Sequence, residues 1–190
     1  MSSVMTSGTR GRGMLLLLFI FFAAPLLLVL LMHQYDWHPQ GSSRGEMLAP
    51  HPLSLPPDLQ NTSGAPVSKA IWDARWSMVL VSTDCAADCQ QRLHQMRQLQ
   101  VSLAKDVERV QRVLVASQAP VQVLLAQYPD LHIFHQPASA IAALQQQFVR
   151  GPGLYLVDPL GNVMMFYAPE VPAADIRKDM TRLLRYAWAG

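Results

Sequence analysis

The sequence predicts an α/β domain with a mostly parallel central sheet and helices on both faces, preceded by one transmembrane helix. Short apolar runs of strand length alternate with segments of helical periodicity, and the last two strand patterns are joined by a tight turn. A long uncharged apolar run near the N-terminus predicts the membrane helix. We therefore expect an N-terminal segment at 1–13, the span at 14–32, a linker at 33–70 and the α/β domain at 71–190.

The apolar run from Met14 to Met32 contains no charged residue. At about 1.5 Å rise per residue, a helix of this length crosses a hydrocarbon core about 30 Å thick. Arg10 and Arg12 precede the run, whereas residues 34–40 contain no Lys or Arg. The positive-inside rule therefore places the N-terminus in the cytoplasm and the domain outside, which for a bacterium means an inner-membrane anchor with a periplasmic domain.

A cleaved signal peptide is the alternative interpretation of this run. Signal peptides normally have a shorter apolar region, about 7–15 residues, followed by a small-residue cleavage site. No such site directly follows Met32, so we favour a retained anchor.

The predicted linker at 33–70 is rich in Pro, Gly and Ser, a composition typical of extended connecting segments. Tyr35 and Trp37 at its start are suited to the membrane interface. Its histidines, His38 and His51, are expected to be solvated rather than to bind metal.

The domain reads in the order β-α-β-α-β-α-β-β-α, which favours parallel neighbours and an antiparallel final hairpin. The predicted strands are Met78–Ser82, Val110–Ala116, Leu131–Phe134, Leu154–Val157 and Val163–Tyr167. The predicted helices are Ala86–Ala104, a segment beginning at Pro120, Ala138–Phe148 and Pro172–Tyr186. The net charge of +2, with 15% charged residues, gives no indication of a nucleic-acid-binding face.

Both cysteines, Cys85 and Cys89, lie where the first strand of the domain gives way to a helix. Unpaired N–H groups and the helix dipole favour a thiolate at such a junction. Two cysteines at this spacing are close enough to form a disulfide, or to bind one soft metal ion through both sulfurs. Asp84 and Asp88 flank the pair, and we interpret them as acids that complement the helix dipole.

This arrangement resembles the thioredoxin fold, and within it the Sco/SenC family of membrane-anchored proteins that help to assemble cytochrome c oxidase. The likeness covers Trp76–Tyr186 and rests on the C-x-x-x-C pair, on Ala138–Leu144 and on Leu154–Val163 with its D-P-x-G turn. The resemblance implies that Cys85 and Cys89 bind Cu(I) or exchange disulfides. It also implies that the partner is a respiratory oxidase subunit or another periplasmic thiol protein.

The family's copper site also includes a histidine shortly before the penultimate strand, and the matching position here is Arg150. Two thiolates can bind Cu(I) in linear coordination, whereas Cu(II) normally requires an imidazole as well. His132 and His135 are alternative donors, although surface positions explain them more simply, and His94 is expected to face solvent. Pro152 resembles the cis-proline that faces the thiols of thioredoxins, so Arg150 and Pro152 form a candidate partner-facing loop in which the cation favours thiolate.

Three functions remain open at this point. The first is an assembly factor for cytochrome c oxidase that transfers Cu(I) or reduces copper-site cysteines. The second is a general thiol–disulfide oxidoreductase, with Cys85 attacking and Cys89 resolving. The third is a non-catalytic docking module in which the cysteines form only a structural disulfide.

Overall fold

The computed structural model describes residues 8–34 and 43–186, which belong to two compact units divided after Ser42. The N-terminal unit contains one helix, α1 (Gly8–Gln34), with Pro25 inside it. Its stretch Arg12–Met32 has a mean hydropathy of 3.1 and is long enough to cross a membrane, a property that a signal sequence would share. The predicted interfacial residues Tyr35 and Trp37, and the linker histidine His38, lie outside the described residues.

The globular unit begins at Ser43 and has an α/β architecture. Its strands are β1 (Glu46–Pro52), β2 (Trp76–Asp84), β3 (Val110–Gln118), β4 (Leu131–Phe134), β5 (Gly153–Val157) and β6 (Asn162–Tyr167). Its α-helices are α2 (Ala87–Ser102), α3 (Val121–Gln127), α4 (Ala138–Gln145) and α5 (Ala173–Tyr186), with short 3₁₀ turns at Lys69–Trp72 and Ala104–Arg109.

The strands form one sheet in the order β1-β6-β5-β2-β3-β4. Strands β2, β3 and β4 are parallel, whereas the β2–β5, β5–β6 and β6–β1 pairs are antiparallel. The predicted α/β class is therefore confirmed, but the sheet is mixed rather than mostly parallel. The alternation of strands and helices does not determine the direction of β5. This strand begins beside the end of β2, with Gly153 opposite Val81, and therefore runs antiparallel to it.

Strand β1 comes from the segment that the sequence predicted as linker. It pairs with β6 at the edge of the sheet, and the loop after it buries Leu53 and Leu59 in the core. Prolines are compatible with an edge strand, because one side of such a strand makes no ladder hydrogen bonds. The high proline content therefore concealed a strand, and the globular unit begins at Ser43 where the sequence placed its start at 71.

The side chains of the central strands separate the core into two layers. On β2, Met78 and Leu80 belong to the layer shared with α2 and α5, whereas Val79 and Val81 belong to the layer shared with α4. Alternation along a strand places successive side chains on opposite faces. Helices α2 and α5 therefore cover one face of the sheet, and α4 covers the other.

Asp179 of α5 fastens the start of the globular unit. Its Oδ2 accepts hydrogen bonds from the Ser43 hydroxyl at 2.8 Å and from the backbone N–H groups of Arg44 and Gly45 at 3.2 and 3.3 Å. The hydroxyl of Tyr167 also donates to it at 3.3 Å, and burial together with the Asp179 charge raises the pKa of this tyrosine. The chain consequently enters the globular unit against α5.

The turn between β5 and β6 gives the first testable prediction. Gly161 has φ +85°, and a Cβ added there would lie 2.8 Å from Cδ1 of the buried Trp72. Gly64 has a similar φ of +81°, but nothing lies within 4 Å of an added Cβ. We expect Gly64→Ala to lower the free energy of unfolding by about 1 kcal/mol for its backbone conformation. Gly161→Ala should cost about 1–3 kcal/mol more, because the Trp72 ring must move.

Denaturant unfolding of the detergent-solubilised full chain measures both values. If the two variants lost the same free energy of unfolding, the contact between the added Cβ and Trp72 would make no contribution to the cost of Gly161→Ala.

Candidate functional site

Cys85 and Cys89 form a disulfide where β2 ends and α2 begins, with their Cα atoms 4.9 Å apart. Cys85 directly follows the last residue of β2, and its N–H donates to the Gln118 carbonyl at the end of β3 at 2.9 Å. Its carbonyl accepts from the Gln90 side chain at 3.4 Å. Cys89 lies in the first turn of α2. Helix and sheet therefore each fix one member of the pair.

The first turn of α2 is not capped by a side chain. Ala86 occupies the N-cap position in an extended conformation, and a methyl group cannot accept a hydrogen bond. Free N–H groups and the positive end of the helix dipole favour negative charge at this point, which is the charge that a reduced cysteine can carry. Asp84 and Asp88, both exposed, oppose that effect on the sulfurs, and Asp88 complements the dipole.

The disulfide is deeply buried. Cys85 is 4% exposed and Cys89 is 7% exposed, because both pack into the core layer under α2. The three residues between them, Ala86, Ala87 and Asp88, are nevertheless exposed, and the first two carry only methyl groups. A partner that approaches over Ala86 and Ala87 therefore meets little side-chain bulk.

The loop at Arg150 and Pro152 lies at the same end of the sheet, because Gly153 of β5 pairs with Val81 near the end of β2. The Arg150 guanidinium nevertheless contacts Glu46 of β1, with Nε 3.0 and 3.1 Å from the two carboxylate oxygens. Its charge is thus paired with a carboxylate, whereas the sequence interpretation directed it at the thiols. Glu46 lay in the predicted linker, so nothing in the sequence indicated this partner.

The interpretation of Pro152 as a cis-proline requires correction. Among the described residues, the cis peptide bond lies between Gln136 and Pro137, at the start of α4, and not at Pro152. Gly151 precedes Pro152 with φ +74°, so the turn here is made by glycine in a left-handed conformation. The Gly151 carbonyl accepts from the Tyr155 hydroxyl at 2.8 Å, and burial raises the pKa of this tyrosine to about 12.

The histidines considered as third ligands lie away from the disulfide. His132 of β4 is in register with Val113 and Val79, six positions before Cys85, which corresponds to about 20 Å along the strands. Burial, and then the charge of Arg75, lower the pKa of His132. His135 follows β4, two strands across the sheet from β2.

His94 and His51 also have partners elsewhere. His94 is exposed on α2, as expected, and its Nε2 lies 3.0 Å from the Gln98 amide nitrogen. The ring of His51 bridges the carbonyls of Ala49 and Gln147, so this histidine of the predicted linker is held against the globular unit.

The donor set near the cysteines limits which metal ion could bind. Within residues 8–34 and 43–186, no group of three or more His, Cys, Asp or Glu side chains is placed to hold a metal ion. A disulfide offers no thiolate ligands, whereas the reduced pair offers two soft sulfurs that suit Cu(I). The same pair without an imidazole does not suit Cu(II).

Comparison with known proteins supports the fold. A family model described as the transmembrane-like, thioredoxin-like, C-terminal domain matches residues 76–187. No curated protein matches the chain significantly.

Three solved structures illustrate the similarity. Copper-bound ScoI of Arabidopsis thaliana is 14% identical with a TM-score of 0.59, over 68% of this chain and 96% of that one. BsSco, a member of the Sco family of cytochrome c oxidase assembly proteins that is described as having a disulfide switch, is 17% identical with a TM-score of 0.54, over 79% and 100%. The thioredoxin domain of a thiol-disulfide oxidoreductase from Bacteroides vulgatus is 13% identical with a TM-score of 0.55, over 72% and 98%.

At such low identities the TM-scores of 0.54–0.59 show a shared fold, and the predicted resemblance to Sco proteins is confirmed at that level.

The contact between Arg150 and Glu46 gives the second prediction. We expect Arg150→Gln to change the reduction potential of the Cys85–Cys89 pair by much less than 30 mV, because the guanidinium is neutralised by Glu46. A cation that stabilised the thiolate by about one pKa unit would contribute about 1.4 kcal/mol, or about 30 mV for a two-electron couple. Equilibration with glutathione buffers measures the potential.

Glu46→Gln is the control, since it removes the partner and keeps the cation. A shift of about 30 mV or more in Arg150→Gln alone would show that the cation acts on the sulfurs after all.

Proposed function

Because the chain belongs to the transmembrane-like, thioredoxin-like family, we propose that it is a membrane-anchored thiol–disulfide protein that assists the assembly of cytochrome c oxidase. In this proposal α1 anchors the chain in the inner membrane with its N-terminus in the cytoplasm, and the globular unit works in the periplasm. Its substrate is a disulfide between copper-site cysteines of an oxidase subunit. The observation that carries the proposal is the Cys85–Cys89 disulfide at the β2–α2 junction.

The chemistry is a two-electron exchange between dithiols. The reduced form attacks the target disulfide through the Cys85 thiolate, forms a mixed disulfide and releases one target thiolate. Cys89 then attacks the Cys85 sulfur, which closes the disulfide seen here and releases the second target thiol. Two electrons pass to the target, and a membrane dithiol reductant must restore the reduced pair.

The position of Cys85 supports its role as the attacking residue. It directly precedes the N-cap residue of α2, and the first N–H groups of this helix have no intrahelical acceptor and no side-chain cap. Cys89 is four residues later, inside the helix, and is already within bonding distance for the resolving step. The exposed turn at Ala86 and Ala87 provides the approach for the target.

A structural disulfide is the competing interpretation, and the low exposure of both cysteines favours it. The closed loop is short, however, since only four positions separate the two residues. In the chain-entropy account, so short a loop stabilises the fold by only about 2 kcal/mol, roughly half of what a 100-residue loop provides. A pair at this spacing constrains the unfolded chain weakly.

Transfer of Cu(I) is a second candidate function, favoured by the copper-bound relative of the same fold. Here copper is cargo. The reduced pair would hold it through two sulfurs, and no described histidine lies close enough to complete a three-ligand site. In this case the disulfide is the form that cannot carry copper.

The third prediction concerns oxidase assembly in cells. In a deletion strain complemented with Cys85→Ser or Cys89→Ser, cytochrome c oxidase activity should fall to the level of the deletion strain, because neither variant can complete the exchange. Cys89→Ser should additionally accumulate a mixed disulfide with its target on non-reducing gels, whereas Cys85→Ser should not.

A His94→Ala variant, altered at an exposed residue of the same helix, is the matched control and should retain full oxidase activity. Added copper should not rescue the cysteine variants if the role is reduction. Wild-type oxidase activity in the Cys85→Ser/Cys89→Ser variant would favour a structural disulfide and refute both candidate functions.

The fourth prediction distinguishes copper binding. The chemically reduced full chain should bind a single Cu(I) in competition with a chromogenic chelator, and Cys85→Ser should abolish this binding, since one thiolate cannot form the two-coordinate site. His132→Ala and His135→Ala should leave the affinity unchanged. Failure of the reduced wild-type chain to bind Cu(I) would eliminate the transfer function and leave disulfide exchange.

A further inference from the structure

The outward side of α5 carries a concentrated positive charge. Arg177, Lys178, Arg182 and Arg185 are all exposed, with Thr181 among them, and together they line one shallow surface. We call these five residues the basic face. Their spacing places them on one side of the helix.

The opposite side of α5 is locked into the core, which determines the direction of the basic face. Ile176, Met180 and Leu184 are at most 3% exposed and pack in the layer that α5 shares with α2. Of the two acidic residues within α5, Asp179 is 7% exposed and engaged by four donors, and Asp175 lies in the first turn of the helix.

The globular unit begins next to this face. Ser43, Arg44 and Gly45, the first described residues after α1, are bound by the Asp179 carboxylate of the same helix. Lys178 directly precedes Asp179 and Arg182 lies almost one turn beyond it, so the chain enters at the border of the basic face. Arg44 is exposed at this entry point and adds a further cation.

The connection between α1 and Ser43 is short. Only residues 35–42 separate the end of α1 from the globular unit, and eight residues span at most roughly 30 Å. The length of this segment therefore sets an upper limit on the distance between the end of a retained anchor and Ser43.

We propose that the basic face of α5, with Arg44, docks on the anionic phospholipid headgroups of the membrane in which α1 is anchored. Charge complementarity selects the lipid, and the short connection supplies a high local concentration of it. The exposed Tyr186 at the end of α5 suits the same interface, since tyrosine rings favour the headgroup region. The docked unit has one preferred orientation, with α5 toward the membrane. The proposal requires α1 to remain in the mature chain, and it does not depend on the chemistry of the cysteines.

The test places a fluorescent probe on the basic face of the full chain. Thr181→Cys is labelled with a small environment-sensitive dye while the native disulfide is closed, and the chain is reconstituted in nanodiscs that contain headgroup-nitroxide lipid. Ala143→Cys, exposed on α4 across the sheet, carries the control probe. The discs contain either phosphatidylcholine alone or a mixture with phosphatidylglycerol.

We expect the probe at position 181, and not the probe at 143, to be quenched when phosphatidylglycerol is present, and high salt to reverse the quenching. Lys178→Gln/Arg185→Gln should lower the ratio of docked to undocked protein by about 25-fold, since each basic side chain near an anionic surface contributes about a factor of five. Lys69→Gln/Lys105→Gln, which removes two exposed cations elsewhere, should have little effect.

Equal quenching at the two positions, or quenching that ignores phosphatidylglycerol, would overturn the proposal. Shielding of position 181 in native membranes but not in the anionic discs would also overturn it, since the occupant would then be an acidic protein. Circular dichroism of each variant confirms that the fold is retained, so loss of docking cannot be mistaken for unfolding.

Discussion

The chemistry of this protein depends on the way the chain passes from β2 into α2. The hydrogen bond from the Cys85 N–H to Gln118 continues the parallel pairing of β2 and β3 to the last possible residue. The helix then begins at once, without a capping side chain, and its first turn brings Cys89 back to Cys85. A side-chain cap at Ala86 would satisfy the N–H groups that favour a thiolate. Without that cap the start of the helix is less stable. The unpaired N–H groups can instead stabilise a negative charge on the sulfurs.

Burial and reactivity act against each other at this junction. The core layer under α2 covers both cysteines, so the exchange that we propose requires a partner that fits the turn. Because Ala86 and Ala87 carry only methyl groups, the direction of approach limits access over these two residues more than side-chain bulk does. Selectivity for one partner, as an assembly factor requires, follows more naturally from this geometry than the broad reactivity of a general oxidoreductase.

The sequence was sufficient to predict the helices and strands that have clear hydrophobic periodicity. The β-α-β order and the cysteine junction could be predicted because each depends on neighbouring residues. The rest depends on contacts across the chain: Glu46 reaches Arg150 over 104 positions, and β1 is recognisable only once β6 is beside it. The direction of β5 and the trans bond at Pro152 likewise follow from how the sheet is assembled. No local pattern encodes such pairings, so the loop that contains Arg150 and Pro152 was the least predictable part of the candidate site.

The lack of a third ligand beside the cysteine pair, among the described residues, links the two candidate chemistries. With an imidazole, a cysteine pair can hold copper in either oxidation state, and metal binding is then partly independent of electron transfer. Here no histidine of the described residues completes a three-ligand site with the two sulfurs, and Arg150 is occupied by Glu46. Copper can then be bound only as Cu(I) and only by the reduced pair, so the copper-bound pair and the closed disulfide are mutually exclusive states. Any copper function of this chain is therefore controlled by the supply of electrons to Cys85 and Cys89, which makes disulfide exchange the more basic of the two activities.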